Sequence, residues 1–207
     1  MKKQALELQH IDFYKTHGAL VLQQVLSTSS VKDAKKDALF FTKSSLRNVW
    51  QNQLEFKKII LNKNLFSLSA TLTHQHLMRI GYDHFFSTLD DLRAFFPAGS
   101  SISEKSSIDP IEIALLINLS SQTDLLDNQT HIFPYLAGSG CFIHPRKMLD
   151  FTPIEEAQGP FLLITYCKQT ARYIFQKEDP YTHEGKKQGL VFGDIINSRS
   201  HPLLSLS

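Results

Sequence analysis

Hydrophobic and polar positions follow two different periods along this chain. Up to about residue 70, apolar residues recur every three or four positions, which is typical of amphipathic helices. From about residue 76 onward, apolar and polar residues alternate in short runs separated by Gly, Pro, Ser and Asn, which is typical of strands and turns. The pattern predicts one domain over residues 1–207, with a helix-rich region over 1–70 and a strand-rich core over 71–207.

The helix-rich region is expected to contain three helices and one strand. Leu8, Ile11 and Tyr14 form one apolar stripe, which predicts a first helix over residues 4–17 that ends before Gly18. The short apolar run GALVLQQVL then predicts a strand, because turn-forming residues bound it on both sides. Two further helices are predicted in the segments STSSVKDAKKDALFF and SLRNVWQNQLEFKKIILN.

The strand-rich core contains several short segments in which successive side chains point to opposite faces. The segment HLMRIGYDHFF divides into a face of Met78, Ile80, Tyr82 and Phe86 and a face of Arg79, Gly81 and Asp83. The segments IEIALLINL, FLLITYC, ARYIF and GLVFGDII continue the pattern. Short strands of this kind indicate a sandwich or barrel. A parallel α/β sheet is not expected, since the chain has no βαβ alternation and no GxGxxG or P-loop motif.

Composition and charge exclude several classes of protein. Apolar residues make up 42% of the chain and charged residues 20%, as in an ordinary globular protein. The chain has no run of about 18 apolar residues, so no membrane-spanning helix is expected. A net charge of +2, with both signs mixed along the predicted helices, argues against a nucleic-acid partner. The two cysteines lack metal-binding spacing, which indicates a reducing, cytoplasmic compartment.

Two segments, IDFYKTHGALVLQQVLS and GLVFGDIINSRSH, resemble phytanoyl-CoA dioxygenase-like proteins, a branch of the Fe(II)- and 2-oxoglutarate-dependent dioxygenases. IDFYKTHGALVLQQVLS is similar to the opening helix and first strand of that family. GLVFGDIINSRSH is similar to its late strand, which carries the distal metal histidine. The resemblance covers most of the chain and extends to a chlamydial member of the superfamily. It implies an α+β fold whose core is a double-stranded β-helix, or jelly roll.

The resemblance also implies a definite set of metal and cosubstrate residues. Two histidines and one carboxylate hold one face of Fe(II), and 2-oxoglutarate chelates the opposite face. An Arg or Lys pairs with the far carboxylate of 2-oxoglutarate. The first histidine and the carboxylate are usually spaced as His-x-Asp or His-x-Glu, because residues i and i+2 of a strand share one face.

This chain departs from the family's metal motif where that motif is expected. The segment GSSISEKSSIDP, which precedes the strand IEIALLINL, contains no histidine. The only His-x-Asp sequence is His10-Ile11-Asp12, in the predicted first helix, where residues i and i+2 do not share a face. Only PLLSLS follows His201, although the family's cosubstrate arginine usually lies several residues beyond the distal histidine. We therefore expect a degenerate metal site without tightly bound iron.

Four residues are candidates for that site. His201 matches the family's distal metal histidine, and Glu104 and Asp109 lie in the loop where the first metal ligands are expected. Arg79, on an early strand, is a candidate cosubstrate residue that would anchor a carboxylate. The alternative for Arg79 is a structural ion pair with Asp83, which shares its predicted face. The alternative for His201 is an ordinary hydrogen-bonded histidine without a ligand role.

The histidine-rich segment THQHLMRIGYDH is a second candidate for metal binding. His74 and His76 are close enough in sequence to share one ion. His76 and His84 are not, because eight residues of extended strand span about 26 Å. Cys141 and Cys167 lie in apolar, strand-like surroundings, which predicts inert thiols.

These observations leave three hypotheses for the function. The first is a dioxygenase-like jelly roll with a degenerate site, which either keeps oxygenase activity with unusual ligands or binds a small carboxylate without chemistry. Fe(II) and 2-oxoglutarate enter as cofactors by resemblance alone, and a fully degenerate site would bind neither. The second is a metal-responsive regulatory or binding protein without catalysis that uses the nine histidines as a sensor. The third is an interaction module that uses the helical first third.

Overall fold

The computed structural model describes residues 6–41, 45–121, 133–154, 157 and 159–206. In these residues, helices pack on one antiparallel sheet. The helices are Leu8–His17 (α1), Thr28–Ala38 (α2), Leu54–Ile60 (α3), Lys63–Thr73 (α4), Leu89–Phe95 (α5) and Glu184–Lys187 (α6), with a 3-10 turn at Val49–Gln51. The strands are Ala19–Leu22 (β1), Ser45–Arg47 (β2), Leu77–Phe86 (β3), Ile108–Asn118 (β4), Gly140–Ile143 (β5), Phe161–Tyr173 (β6) and Leu203–Ser205 (β7). Within the described ranges, no helix is both long enough and apolar enough to cross a membrane.

The sheet joins the two regions that the sequence distinguishes. Its strand order is β1-β5-β4-β6-β3-β2, and β7 also pairs with β3. The pairs among these strands are antiparallel. Because β1 and β2 come from the helix-rich region but pair with later strands, the helices are tied to the core through the sheet. The predicted mixture of helices and an antiparallel sheet, the α+β class, is confirmed.

The first predicted helix and strand are confirmed as α1 and β1. Gly18 ends α1 in a left-handed conformation with φ 68°, and its N–H donates to the Tyr14 carbonyl. Glycine adopts this conformation without the Cβ clash that other residues suffer, which explains the stop. The chain then continues directly into β1, which pairs with β5. Residues 1–5, at the start of the predicted helix, lie outside the described residues.

The helix predicted over SLRNVWQNQLEFKKIILN is wrong in its first half. Ser45–Arg47 forms β2 against β3, and Asn48, at φ 58°, turns the chain into the 3-10 turn before α3 begins at Leu54. The apolar spacing there suits a helix, but pairing with a neighbouring strand outweighs local propensity. The helix α4 was not predicted from the sequence. Its first turn is capped by the Asn62 side chain, which accepts hydrogen bonds from the N–H groups of Asn64 and Leu65.

A register shift in β3 changes which face each side chain occupies. The shift lies between Ile80 and Asp83, opposite β6. Ile80 therefore packs in one hydrophobic cluster, whereas Tyr82 packs in the other. The prediction that these two residues share a face is wrong, because a bulge inserts an extra residue and reverses the alternation beyond it.

Two hydrophobic clusters cover the two faces of the sheet. Along β4, Ile113 and Leu115 belong to one cluster and Ala114 and Leu116 to the other, as alternation along a strand requires. The helix-side cluster includes residues of α2, α3 and α4. The opposite cluster includes α5 and the segments after β5 and β6. Both faces are thus buried, which is why IEIALLINL is apolar at nearly every position.

The strands after β5 do not lie where the sequence pattern predicted them. FLLITYC and the first three residues of ARYIF belong to one continuous strand, β6, which ends at Tyr173. GLVFGDII, which was predicted as a strand, consists of turns and irregular backbone, with one isolated bridge between Arg172 and Ile195. Gly189 and Gly193 both have positive φ, at 82° and 101°, which breaks an extended conformation. The chain then reaches β7, which pairs with β3.

Candidate functional site

Arg79, the predicted carboxylate anchor, holds together three segments of the chain. Its Nε donates to the Gln169 carbonyl at 3.0 Å. Its Nη1 donates to the Ser198 hydroxyl at 2.9 Å and to the His201 carbonyl at 3.0 Å. The guanidinium therefore fastens the segment before β7 to β3 and β6.

The predicted ion pair between Arg79 and Asp83 is wrong. The Asp83 carboxylate instead accepts a hydrogen bond from the Val49 N–H at 2.8 Å, and it is fully buried. The register shift between Ile80 and Asp83 separates the two side chains onto different faces. A bulge has no signature in the alternation of apolar and polar residues, so the sequence pattern did not indicate it.

His201 is buried against the edge of β3. Its Nδ1 lies 2.8 Å from the Gly81 carbonyl and 3.1 Å from the Ile80 carbonyl. Both partners are acceptors, so Nδ1 carries the ring proton. Burial lowers the pKa of the imidazole, the nearby Arg79 charge lowers it further, and the two hydrogen bonds oppose the shift. His201 is therefore a buried, neutral histidine that is hydrogen-bonded to β3 through Nδ1.

Glu104 and Asp109 are both exposed. The Glu104 carboxylate accepts hydrogen bonds from the Ser101 N–H at 2.8 Å and from the Ser101 hydroxyl at 3.1 Å. Asp109 lies opposite Arg172 in the register of β4 and β6. The Glu104 carboxylate is thus held by Ser101, and in the described residues neither carboxylate forms a metal-binding group with His201.

The described ranges contain no group of three or more His, Cys, Asp or Glu side chains that could hold a metal ion. His201, Glu104 and Asp109 therefore do not form the predicted shared site. In the second predicted metal segment, His74 is exposed at the end of α4, whereas His84 is buried and stacked on Phe86 at 4.3 Å between ring centroids. The donor set in the described residues does not fit a facial Fe(II) site.

A buried ion pair between Arg47 and Asp179 was not predicted. Nη1 of Arg47 lies 2.8 Å from Oδ2 of Asp179, and the two side chains are 5% and 0% exposed. Arg47 also donates to the Lys105 carbonyl, and its guanidinium lies 3.9 Å from the centroid of the Tyr82 ring. The partners are 132 residues apart, so no local motif could have identified them.

The carboxylate of Asp179 is satisfied by more than Arg47. It accepts hydrogen bonds from the backbone N–H groups of Ser107 at 2.8 Å and Tyr181 at 2.9 Å. Close to this pair, burial raises the pKa of Asp83 to about 7, against the opposing effects of backbone hydrogen bonds and the Arg47 charge. The adjoining cavity has a volume of about 20 Å³. It is large enough for one water molecule and too small for a carboxylate ligand.

An open groove of about 590 Å³ lies where the ends of α1 and α4 meet β4 and the segment after β5. Its walls are formed by Tyr14, Lys15, Thr16, His17, Gly18, Leu72, Thr73, Glu112, His144, Arg146 and Lys147. Three cationic side chains and one carboxylate line it, so its surface carries a surplus of positive charge. The groove was not predicted, because its cations come from two segments about 130 residues apart in the sequence.

Comparison with known proteins identifies the fold. The sequence matches no family model and no curated protein. The structure is similar to the non-heme alpha ketoglutarate dependent carbocyclase SnoK from nogalamycin biosynthesis, with a TM-score of 0.72, 14% identity and 99% of each chain covered. It is also similar to the epimerase SnoN in complex with Fe3+, alpha ketoglutarate and nogalamycin RO, with a TM-score of 0.65, 12% identity and coverage of 94% and 97%.

A third similar structure is CT296 from Chlamydia trachomatis. The TM-score is 0.55 at 15% identity, and the alignment covers 81% of this chain and 98% of CT296. At such identities the likeness establishes the fold alone. The chain has the fold of non-heme 2-oxoglutarate-dependent enzymes, while its chemistry must be argued from its own residues.

Proposed function

We propose that this protein is a double-stranded β-helix of the phytanoyl-CoA dioxygenase-like type that has lost its iron chemistry and binds a small carboxylate. The observation that carries the loss of iron chemistry is the use made of Arg79 and His201, and the surplus of positive charge in the open groove supports carboxylate binding. Arg79 donates to the Gln169 and His201 carbonyls, and the His201 ring donates to β3. Residues predicted to serve cosubstrate and metal therefore serve the fold instead.

The SnoN structure differs from this chain in its metal site. That structure contains Fe3+ and alpha ketoglutarate. The described residues of this chain offer no converging set of metal ligands. We therefore derive no oxygenase step for this protein, and we propose carboxylate binding as the activity that remains on the scaffold.

We also propose that the chain is a single domain working in the cytoplasm. The sheet shared by the helix-rich and strand-rich regions supports the first point. Cys141 and Cys167, both buried thiols, support a reducing compartment. The alternative of a histidine-based metal sensor gains no support from the geometry, because His74, His84 and His201 lie in three different environments.

Metal analysis with ligand titration tests the proposal. The purified chain is analysed for bound metal and titrated with Fe(II), with and without 2-oxoglutarate. It is then titrated with a series of small carboxylates. We expect far less than one iron per chain, no effect of 2-oxoglutarate on iron affinity, and saturable binding of at least one carboxylate. Near-stoichiometric iron, or the failure of every carboxylate to bind, would overturn the proposal.

A further inference from the structure

We infer that the groove lined by Lys15, Arg146 and Lys147 is a binding site for a small dianion, either a dicarboxylate or a phosphate monoester. With a dicarboxylate the inference deepens the proposed function, on which it then rests, because it names the place and the charge of the ligand; with a phosphate monoester it goes beyond that function. The four residues predicted for the dioxygenase-like site, His201, Glu104, Asp109 and Arg79, do not line this groove.

The walls of the groove are fixed to one another by hydrogen bonds. The His144 N–H donates to the Gly18 carbonyl at 2.8 Å, and the Lys147 ammonium donates to the His17 carbonyl at 2.8 Å. The segment after β5 is therefore held against the end of α1. A site whose walls are already in place binds a ligand without the entropic cost of ordering them.

The charge of the groove favours an anion. Lys15, Arg146 and Lys147 face one carboxylate, that of Glu112, which leaves a surplus of two positive charges. Glu112 is itself partly neutralised by Lys168, whose Nζ lies 3.7 Å from its Oε1. A ligand with two negative charges would balance the surplus, whereas a monoanion would balance half of it.

The carbonyl end of α1 would repel an anion if it were bare, because a helix carries a partial negative charge at its C-terminus. Here two of the carbonyls in the last turn have donors. The Tyr14 carbonyl accepts from the Gly18 N–H, and the His17 carbonyl accepts from the Lys147 ammonium. The cations thus offset the helix end and leave Arg146 and Lys15 for a ligand.

Tyr14 provides an independent observation. Its side chain lines the groove and is 5% exposed, yet its hydroxyl has no hydrogen-bond partner among the residues that the structure describes. A buried hydroxyl without a partner is unfavourable, and an anionic oxygen is the acceptor that would relieve it. Burial raises the pKa of this phenol, and the Glu112 charge raises it further, so it stays protonated and remains a donor.

His144 adds a second neutral donor. Its Nδ1 accepts from the Arg146 N–H at 3.3 Å, which leaves the ring proton on Nε2. Burial and the charge of Arg146 lower the pKa of the imidazole, and Glu112 opposes the shift. The ring is therefore neutral at pH 7 and able to donate one hydrogen bond.

The test is a titration of the full chain with inorganic phosphate, succinate and acetate at low ionic strength, followed by calorimetry or NMR. We expect both dianions to bind and acetate to bind about tenfold more weakly. Tighter binding of phosphate would identify a phosphate ester as the ligand, and tighter binding of succinate a dicarboxylate. Failure of both dianions to bind, or equal affinity for acetate, would overturn the inference.

Variants distinguish the groove from binding elsewhere. Arg146→Gln should weaken dianion binding about tenfold, as expected for the loss of one charge-assisted contact. Lys36→Gln, an exposed cation outside the groove with the same change in charge, should leave the affinity unchanged. Lys15→Gln replaces Arg146→Gln if the latter does not fold. If the chain binds a carboxylate and none of the groove variants weakens that binding, the assignment of the site to the groove would be wrong, while the proposed function would still hold.

Tyr14→Phe separates a binding hydroxyl from a structural one. Because the hydroxyl has no hydrogen-bond partner within the described part of the chain, its removal should weaken dianion binding about threefold without lowering the thermal midpoint. A lower midpoint with unchanged affinity would assign the hydroxyl to the fold and contradict its role as a donor. Stoichiometric iron in the metal analysis would reject the proposed function, but it would leave the dianion affinities of the groove variants, and the inference drawn from them, unchanged.

Discussion

The buried cluster around Arg47 and the open groove around Arg146 each contain an arginine, but the two arginines differ in burial and in how their charge is matched. Arg47 is matched by Asp179, a neighbouring carbonyl and an aromatic ring, and it is shielded from water. Arg146 is exposed beside two lysines and only one carboxylate. A charge that is fully matched inside the protein belongs to the fold, whereas an unmatched charge in a groove is available to a ligand.

The largest expected effect is a loss of stability on substitution of the buried Arg47. Arg47→Met should lower the free energy of unfolding by about 3–5 kcal/mol, because it leaves the Asp179 carboxylate buried without its counter-ion. Urea unfolding gives the measurement. Arg146→Met is the matched control, and we expect it to change stability by less than about 0.5 kcal/mol.

The double variant Arg47→Met with Asp179→Leu sharpens the same point. It should recover part of the loss, since removing both charges leaves neither one buried alone. If Arg47→Met and Arg146→Met destabilised the protein equally, the division between a structural and an available arginine would be wrong.

A smaller effect should come from pH. Burial raises the pKa of Asp83 to about 7 from 3.8, so between these values the folded state keeps a proton that the unfolded state has lost. The contribution of Asp83 to the free energy of unfolding is therefore greatest below about pH 4, and it falls by roughly 2–4 kcal/mol as the pH rises to 7. The measurement is the difference in unfolding free energy between the wild type and Asp83→Asn across this range. A difference that does not change with pH would contradict the buried, protonated carboxyl.

The smallest effect concerns His201. His201→Ala removes the hydrogen bond to the Gly81 carbonyl, and it should cost about 1 kcal/mol of stability. It should leave metal content unchanged, which metal analysis of the variant would check. Loss of specific Fe(II) binding in this variant would mean that an unconventional iron site includes His201.

How much the sequence revealed depended on how local each feature is. The first helix was predictable because Leu8, Ile11 and Tyr14 lie within two turns and Gly18 supplies the stop. The strand β4 was predictable for the same reason, since its alternation is contained in eleven residues. Features of this kind depend on near neighbours in the chain, which a single sequence displays.

The candidate site was less predictable because it depends on distant partners. The role of Arg79 follows from a bulge in β3 and from Ser198 and His201, all of which appear only when the strands are paired. The pairing of Arg47 with Asp179 spans 132 residues. The resemblance to a dioxygenase family indicated the fold, but the family's late strand is not present at GLVFGDII, where two glycines with positive φ turn the chain.

The position of His201 has a consequence for solubility. β2 covers the edge of β3 at His84–Phe86, and β7 covers it at Leu77–Arg79. The carbonyls of Ile80 and Gly81 lie in the gap between these two short covers, and the His201 ring donates to that gap. An open sheet edge invites pairing with a strand of another molecule and, through it, aggregation. The His201 ring thus occupies the part of this edge that lies between β2 and β7, where it hinders a strand of a second chain from pairing with β3.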